Sequence, residues 1–336
     1  MEHHRFKVVV THPIHPEGIK VLEEIAEVHV LPEAPRSEEE LIKAIADADA
    51  VLVTLNVEPV TRRVIESAPK LKIIARHGVG YDNVDVKAAT ERGIWVTIAP
   101  VNASTVAEFT IALIFALAHK VVQRDRFIKS GSWTPQNLRP QHLVGIDVQD
   151  KILGIVGLGR IGQEVAKRAA CLGMKVVYYD VVRRKELEEQ LSIEYRDLET
   201  LLKISDFVSL HVPLTPQTKH LIGERELKLM KPTAYLINTA RGPVVDMNAL
   251  VRALKEGWIA GAALDVFEEE PLPPNHPLLS LDNVILSPHM ATHTDDCKKR
   301  VAATAAQEIV RVLKGEKPLY PVNPEVEKYL SRKPQP

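Results

Sequence analysis

The chain of 336 residues has only two cysteines, Cys171 and Cys297, too few for a disulfide framework, so the fold must rest on packing. A reducing, cytoplasmic setting is the expectation. Long apolar runs are missing as well. The longest, Phe109 to Ala118, is bracketed by Glu108 and His119, is too short to cross a bilayer and reads as a buried helix, so no membrane partner is expected. Neither sign of charge is in excess: 43 Lys and Arg face 44 Asp and Glu, a net of −1, which removes the electrostatic footprint of a nucleic-acid or anionic-lipid binder. Polar Met1 to Lys7 leads straight into Val8-Val9-Val10 with no leader-type apolar region. What is present, 45% apolar and 26% charged residues, is the composition of a globular protein long enough for about two domains.

Strand-like apolar runs alternate with amphipathic stretches throughout, which argues an α/β architecture with parallel sheets. Lys7 to Thr11, Glu27 to Leu31, Ala50 to Thr54, Leu71 to Ala75 and Ile94 to Ile98 read as strands of a first unit. Helices are expected at Gly18 to Ile25 and Ser37 to Ala46, the latter opened by a capping box in Ser37-Glu38-Glu39-Glu40. A second series of strands follows at Lys151 to Val156, Lys175 to Tyr179, Ser192 to Tyr195, Phe207 to Leu210, Ala234 to Asn238, Gly261 to Leu264 and Val284 to Leu286. Several are continuous apolar runs of the kind covered on both faces. A last helix runs from Asp295 to Lys314 and stops at Gly315. Beyond it a tail with Pro318, Pro321, Pro324, Pro334 and Pro336 is expected to be loose, and too short for a regulatory domain.

The second series opens with a strand, Gly157-Leu158-Gly159-Arg160-Ile161-Gly162, and a helix. Those glycines suit a tight turn, close approach of backbone to a pyrophosphate, and helix-on-strand packing, while the helix N-terminus offers donors to phosphate. Asp180 ends the next strand 23 residues after Gly157, where a carboxylate accepts from ribose hydroxyls and repels a 2′-phosphate, favouring NAD over NADP. Arg183-Arg184-Lys185 nearby reads as a solvated helical turn, although an arginine there is also what tolerates a 2′-phosphate. Three later strands end in Asn238-Thr239-Ala240-Arg241-Gly242, in Asp265-Val266-Phe267-Glu268-Glu269-Glu270-Pro271, and in Ser287-Pro288-His289. Ligands of open α/β sheets sit beyond the carboxyl ends of strands, so these groups should converge where a nicotinamide lies.

Taken together these blocks resemble the NAD-dependent D-2-hydroxyacid dehydrogenases, the family of glyoxylate/hydroxypyruvate reductase and phosphoglycerate dehydrogenase. The likeness runs from Arg76-His77-Gly78-Val79-Gly80-Tyr81-Asp82-Asn83-Val84-Asp85 to Ser287-Pro288-His289, nearly the whole chain. It implies that Arg241 holds the substrate carboxylate and polarises its carbonyl, that His289 is the general acid/base, and that Glu270 hydrogen-bonds His289, with Glu268 and Glu269 solvent-facing. It further implies Arg160 and Ile161 at the pyrophosphate, Val212 and Pro213 near the adenosine, Thr239, Ala240 and Arg241 along the nicotinamide half, and Asp265 on the carboxamide. Backbone N–H groups of Val79 and Gly80 would take the substrate carboxylate, and Arg76 an anionic tail. The chemistry agrees: hydride delivery to a 2-oxo acid needs a fixed cation and a proton donor, and a carboxylate beside an imidazole favours its protonated form.

The implied architecture is a Rossmann doubly wound domain at residues 102–290 inserted into a flavodoxin-like substrate domain, 1–101 completed by 291–336. A homodimer is expected through the apolar helix Val106 to Ala118. After His289 the chain reads Met290-Ala291-Thr292-His293-Thr294 in place of glycine-like residues, and the pair His289 and His293 falls on a loop, so no metal is expected. Val53-Thr54-Leu55-Asn56 lacks the arginine that phosphoglycerate enzymes carry there, and the stretch from Ser130-Gly131-Ser132-Trp133 to Gln141 resembles that of glyoxylate and hydroxypyruvate reductases. A small unphosphorylated 2-oxo or 2-hydroxy acid is therefore favoured. D-3-phosphoglycerate oxidation for serine biosynthesis, phosphite oxidation and an NAD(H)-sensing corepressor-like module remain the alternatives.

Overall fold

The computed structural model describes residues 5–330. These fall into two compact units, one made by the chain up to Asn102 together with the chain from Thr292, the other by Ala103–Ala291. In the first, β1 (Phe6–Val10), β2 (Ala26–Val30), β3 (Ala50–Val53), β4 (Ile73–Arg76) and β5 (Trp95–Thr97) form a parallel sheet in the order β2-β1-β3-β4-β5. This is the flavodoxin-like order. Every residue of β3, β4 and β5 is buried, as strands sandwiched between helices require. The capping box at Ser37 and Glu40 is present. Two helices that the sequence did not announce, Arg62–Glu66 and Val86–Glu91, are capped by Thr61 and Asp85.

The helix Asp295–Leu313 packs on Pro16–Glu23 and on β3, β4 and β5, so the end of the chain completes the core that its beginning started. The tail is not loose as far as it is described. Both Glu308 oxygens accept backbone N–H groups, from Leu319 and Tyr320, and Pro321 pairs with Thr97 in an antiparallel bridge. Asn323 is fully buried: its Oδ1 accepts from Val96 N at 2.8 Å, and its Nδ2 donates to Thr90 Oγ1 and Ile94 O. Proline there costs no ladder bond, because the segment runs along a sheet edge. Pro334 and Pro336 lie outside the described residues.

In the second unit β6 (Ile152–Val156), β7 (Lys175–Tyr179), β8 (Glu194–Tyr195), β9 (Phe207–Leu210), β10 (Tyr235–Asn238), β11 (Gly261–Leu264) and β12 (Val284–Leu286) make a parallel sheet ordered β12-β11-β10-β9-β6-β7-β8. The order reverses between β6 and β9, the place where such sheets bind ligands. Helix Ala103–Ala118 buries Val106, Ala107, Leu113, Ile114 and Leu117 against helix Arg160–Cys171, β10 and β11. Phe109, Ile111 and Phe115 of the same helix stay only half-buried. Further exposed apolar side chains lie in the next segment, where Ile128, Trp133, Leu138 and Val144 line a groove of about 890 Å³. Among the described residues no single helix is long and apolar enough to cross a membrane.

Asn323→Ala strands the buried Val96 N–H, which costs about 2 kcal/mol and should lower the first unit's melting temperature by ~4–8 °C. Calorimetry checks this; an unchanged transition would mean that the tail is dispensable.

Candidate active site

The glycine loop between β6 and helix Arg160–Cys171 shows why each glycine is there. Gly157 has φ +98°, and a Cβ on it would lie 2.8 Å from the His211 carbonyl; one on Gly162 would lie 2.2 Å from the Gly157 oxygen. Both are sterically required. A Cβ on Gly159, by contrast, would meet nothing within 4 Å, and no side chain caps the helix that Gly159 begins. Its exposed first turn, with Arg160 and Ile161, therefore keeps N–H donors and dipole for an anion, the fit a pyrophosphate needs. Asp180 stands at the end of β7, where its Oδ2 accepts from Leu158 N at 2.8 Å and its Oδ1 from Val182 N, which ties the acid to the loop. Val212, whose Cγ1 would lie 2.9 Å from a Cβ on Gly157, and Pro213 follow β9. Val181, directly after Asp180, is 87% exposed. It is a large apolar surface beside that acid, and its only sequence signal was two valines following a strand end.

At the end of β10 the Asn238 side chain shapes the turn that follows. Its Nδ2 donates to Arg241 O and its Oδ1 accepts from Ala240 N, while buried Thr239 shares a 3.1 Å hydrogen bond with Thr110. Arg241 Nη1 donates to Ala240 O.

The chain beyond β11 carries Glu270, and that beyond β12 carries His289. Glu270 Oε1 accepts from Phe267 N at 3.0 Å, and its Oε2 lies 2.7 Å from His289 Nδ1. Partial burial, the largest influence on Glu270, pushes its pKa up. The His289 hydrogen bond, the Phe267 amide and the charges of His289 and Arg241 together overcome that and hold the carboxyl below its usual range. Both side chains are 36% exposed, and with Nδ1 turned to Glu270 the His289 Nε2 has no protein partner among the described residues. A nitrogen so placed is oriented by a carboxylate and open to a reacting group.

His289 has φ +55°, a left-handed backbone that a non-glycine residue adopts at a cost. Asp265 holds it there. It is 1% exposed, its Oδ1 and Oδ2 accept from Met290 N and Ala291 N at 2.9 Å each, and its carbonyl accepts from His289 N. The resemblance put Asp265 on a carboxamide; in the structure each of its oxygens accepts one amide of the turn that carries His289. Glu268, expected to face solvent alone, is paired with His220 Nε2. Sequence reasoning passed over His211, whose Nε2 bonds Ser209 Oγ and whose Nδ1 is buried without a partner; burial drives its pKa down to about 3, so it is neutral behind the glycine loop.

In the first unit the loop after β4 carries Val79 and Gly80, whose N–H groups donate to no protein acceptor among the described residues. Arg76 does not reach out for an anion: it is 3% exposed, and its guanidinium donates to Gly80 O, Val53 O, Leu55 O and Asn56 Oδ1. It shapes the loop. Fully buried Glu58, which no local pattern flagged, fixes the adjoining turn by accepting from Thr11 Oγ1, Thr54 N and Oγ1, and Leu55 N through one oxygen. Burial, with Arg76 and His293 adding to it, pushes His77 down to about 4. No group of three or more metal-ligating side chains occurs among the described residues.

The NAD-binding domain of D-isomer-specific 2-hydroxyacid dehydrogenases matches residues 111–291. The chain is 50% identical to a glyoxylate reductase of Korarchaeum cryptofilum, over 96% of this chain and 97% of that one. It is 50% identical to a glyoxylate reductase of Thermofilum pendens, over 96% of both. An NADPH-dependent glyoxylate/hydroxypyruvate reductase of Sinorhizobium meliloti, solved with NADP and malonate, superimposes with a TM-score of 0.85 at 30% identity, covering 96% of this chain and 98% of that one.

Because the folded state holds Glu270 below the ordinary carboxylate value of 4.5, its contribution to stability is complete above about that pH and fades as pH falls through the lower, folded value. The melting-temperature difference between wild type and Glu270→Gln should be constant at neutral pH and shrink in acid. A difference independent of pH would contradict the pairing.

Proposed function

The chain belongs to the D-isomer-specific 2-hydroxyacid dehydrogenases, and from that premise we propose that it reduces a small unphosphorylated 2-oxo acid, glyoxylate or hydroxypyruvate, with NADH. It is an oxidoreductase acting on a CH–OH group. The observation that carries the reading is the Glu270–His289 pair with its unpartnered Nε2, beyond the carboxyl ends of β11 and β12, the strands next in the sheet to the one that leads to Arg241.

Bound nicotinamide supplies the hydride that reduces the carbonyl carbon. Arg241 holds the substrate carboxylate and offsets charge developing on the carbonyl oxygen, because its guanidinium is permanently charged and forks to a carboxylate. His289 Nε2 delivers the proton that turns that oxygen into hydroxyl, and Glu270 steadies the imidazole through Nδ1. In the first unit, the unpartnered amides of Val79 and Gly80 are proposed as donors to an anionic ligand. Run backwards, the oxidation needs His289 to accept a proton, so its optimum lies at higher pH than that of the reduction.

Substrate choice follows from where cations are missing. Thr54-Leu55-Asn56 carries none, and Arg76 is engaged with backbone carbonyls, so neither prepares the loop for a phosphate. Asp180 supports NAD, since a carboxylate there accepts two ribose hydroxyls and repels a third anionic group. We propose that the chain forms a homodimer in the cytoplasm through the region around Val106 to Ala118, where Phe109, Ile111 and Phe115 are only half-buried within the chain.

Steady-state rates with glyoxylate and hydroxypyruvate should exceed those with 3-phosphoglycerate, with NADH preferred to NADPH. His289→Asn should lower kcat by about 10²–10⁴, and Arg241→Lys should raise KM at least about tenfold. No turnover of any 2-oxo acid under saturating NADH would instead favour an NAD(H)-sensing assembly role.

A further inference from the structure

Beside the ribose acid stands an arginine that is tied down. Arg183 follows Asp180 by three residues, within reach of the place where an arginine in this fold would meet a 2′-phosphate. Instead its Nε and Nη2 each donate to Glu188, to Oε1 and Oε2 at 2.8 Å, the side-on fork that arginine makes best. Its guanidinium lies over the Tyr195 ring, 5.5 Å from the centroid. Glu188 in turn is fixed by Tyr178, whose hydroxyl donates to Glu188 Oε1 at 2.8 Å and accepts from Arg184 N at 2.8 Å. The Tyr178 ring is fully buried in the core, on β7, two residues before Asp180. One strand end therefore carries both the acid and the anchor that immobilises the nearest cation. The Glu188 side chain is only 15% exposed, and the Arg183 hydrogen bond, outweighing desolvation, holds its pKa down to about 2, so the pair is ionised throughout the working range.

We propose that Glu188, steadied by Tyr178, is a specificity-determining positioning residue for the dinucleotide. By occupying the Arg183 fork it keeps that cation off the ribose 2′ position and leaves Asp180 alone to refuse a 2′-phosphate. The inference rests on the NAD(H) reading of Asp180 and goes beyond it, because it makes refusal depend on a residue that touches no part of the cofactor. Arg184 and Lys185, the other cations of the turn, are left in place by this arrangement, and Arg184 serves as the competing explanation.

The test is equilibrium binding, by calorimetry, of adenosine 2′,5′-bisphosphate and 5′-AMP, with NADPH and NADH followed by fluorescence. The proteins are wild type, Glu188→Gln, Glu188→Ala, Tyr178→Phe, and the pairs Glu188→Ala/Arg183→Ala and Glu188→Ala/Arg184→Ala. Freeing Arg183 should tighten the bisphosphate and NADPH about tenfold, one charge-assisted contact, while 5′-AMP and NADH hold steady. The gain should vanish when Arg183 is also removed, survive removal of Arg184, and appear in weaker form in Tyr178→Phe. An unchanged bisphosphate affinity in Glu188→Ala, or a gain lost with Arg184 and kept without Arg183, overturns the proposal while the NAD preference stands. A wild type that binds the bisphosphate as tightly as 5′-AMP overturns the NAD reading itself, and the proposal with it.

Discussion

Both oxygens of the buried Asp265 carboxylate are committed to the amides of Met290 and Ala291, and its own carbonyl takes the amide of His289. That set of bonds holds His289 in a left-handed backbone whose cost is of order 1–3 kcal/mol, and without them the turn would relax to an ordinary one. From that backbone the imidazole reaches Glu270 through Nδ1 and keeps Nε2 clear. The placement of the imidazole is therefore set by a carboxylate that bonds only to the backbone of its turn. Two other strand ends are built in the same way, with Asn238 shaping the Arg241 turn and Glu58 the turn after β3. A buried polar side chain closes each loop from beneath, because a turn at a strand end has backbone groups that neither sheet nor helix can satisfy.

Arginine is used in two opposite ways. Arg76 spends its guanidinium on carbonyls and Asn56, and Arg183 on Glu188, so each acts as a clamp whose charge is neutralised or shared locally. Arg241 lies close enough to Glu270 for its charge to be among the influences that hold that carboxyl below its usual range. The distinction follows from geometry: a planar fork matches two carbonyls as well as it matches a carboxylate, so the residue type alone does not say whether the cation is structural or chemical.

This is why the sequence was informative about some features and silent about others. Parallel strands such as Phe207–Leu210 and Gly261–Leu264 were legible to the residue, since burial on both faces leaves, between turn residues, a run that is apolar but for the small Ser209. The helices Arg62–Glu66 and Val86–Glu91 are too short for a 3.6-residue period to show. The glycine loop, Asp180, Glu270 and His289 were legible as ordered motifs. What Asp265 and Arg76 do was not, because their partners lie along other strands and only the three-dimensional register tells a carboxylate aimed at solvent from one aimed at a turn. Glu58, His77 and His211 were passed over for the same reason. The tail was misread because proline content signals a missing N–H donor, and the contact that holds the tail is made by Asn323 and Glu308 instead.

That contact has a consequence for how the molecule comes into being. Val96 lies on the edge strand of the first sheet, and the side chain that satisfies its N–H belongs to residue 323. During synthesis more than two hundred residues must be added between the two, among them the whole of the second unit, which is continuous in sequence and meets no such delay. The nascent first sheet must wait with an unfinished edge and with the core side of Ile19 and Leu22 uncovered until helix Asp295–Leu313 is made. In vivo the order of completion is thus inverted relative to the order of translation: the part of the chain made first is the part finished last.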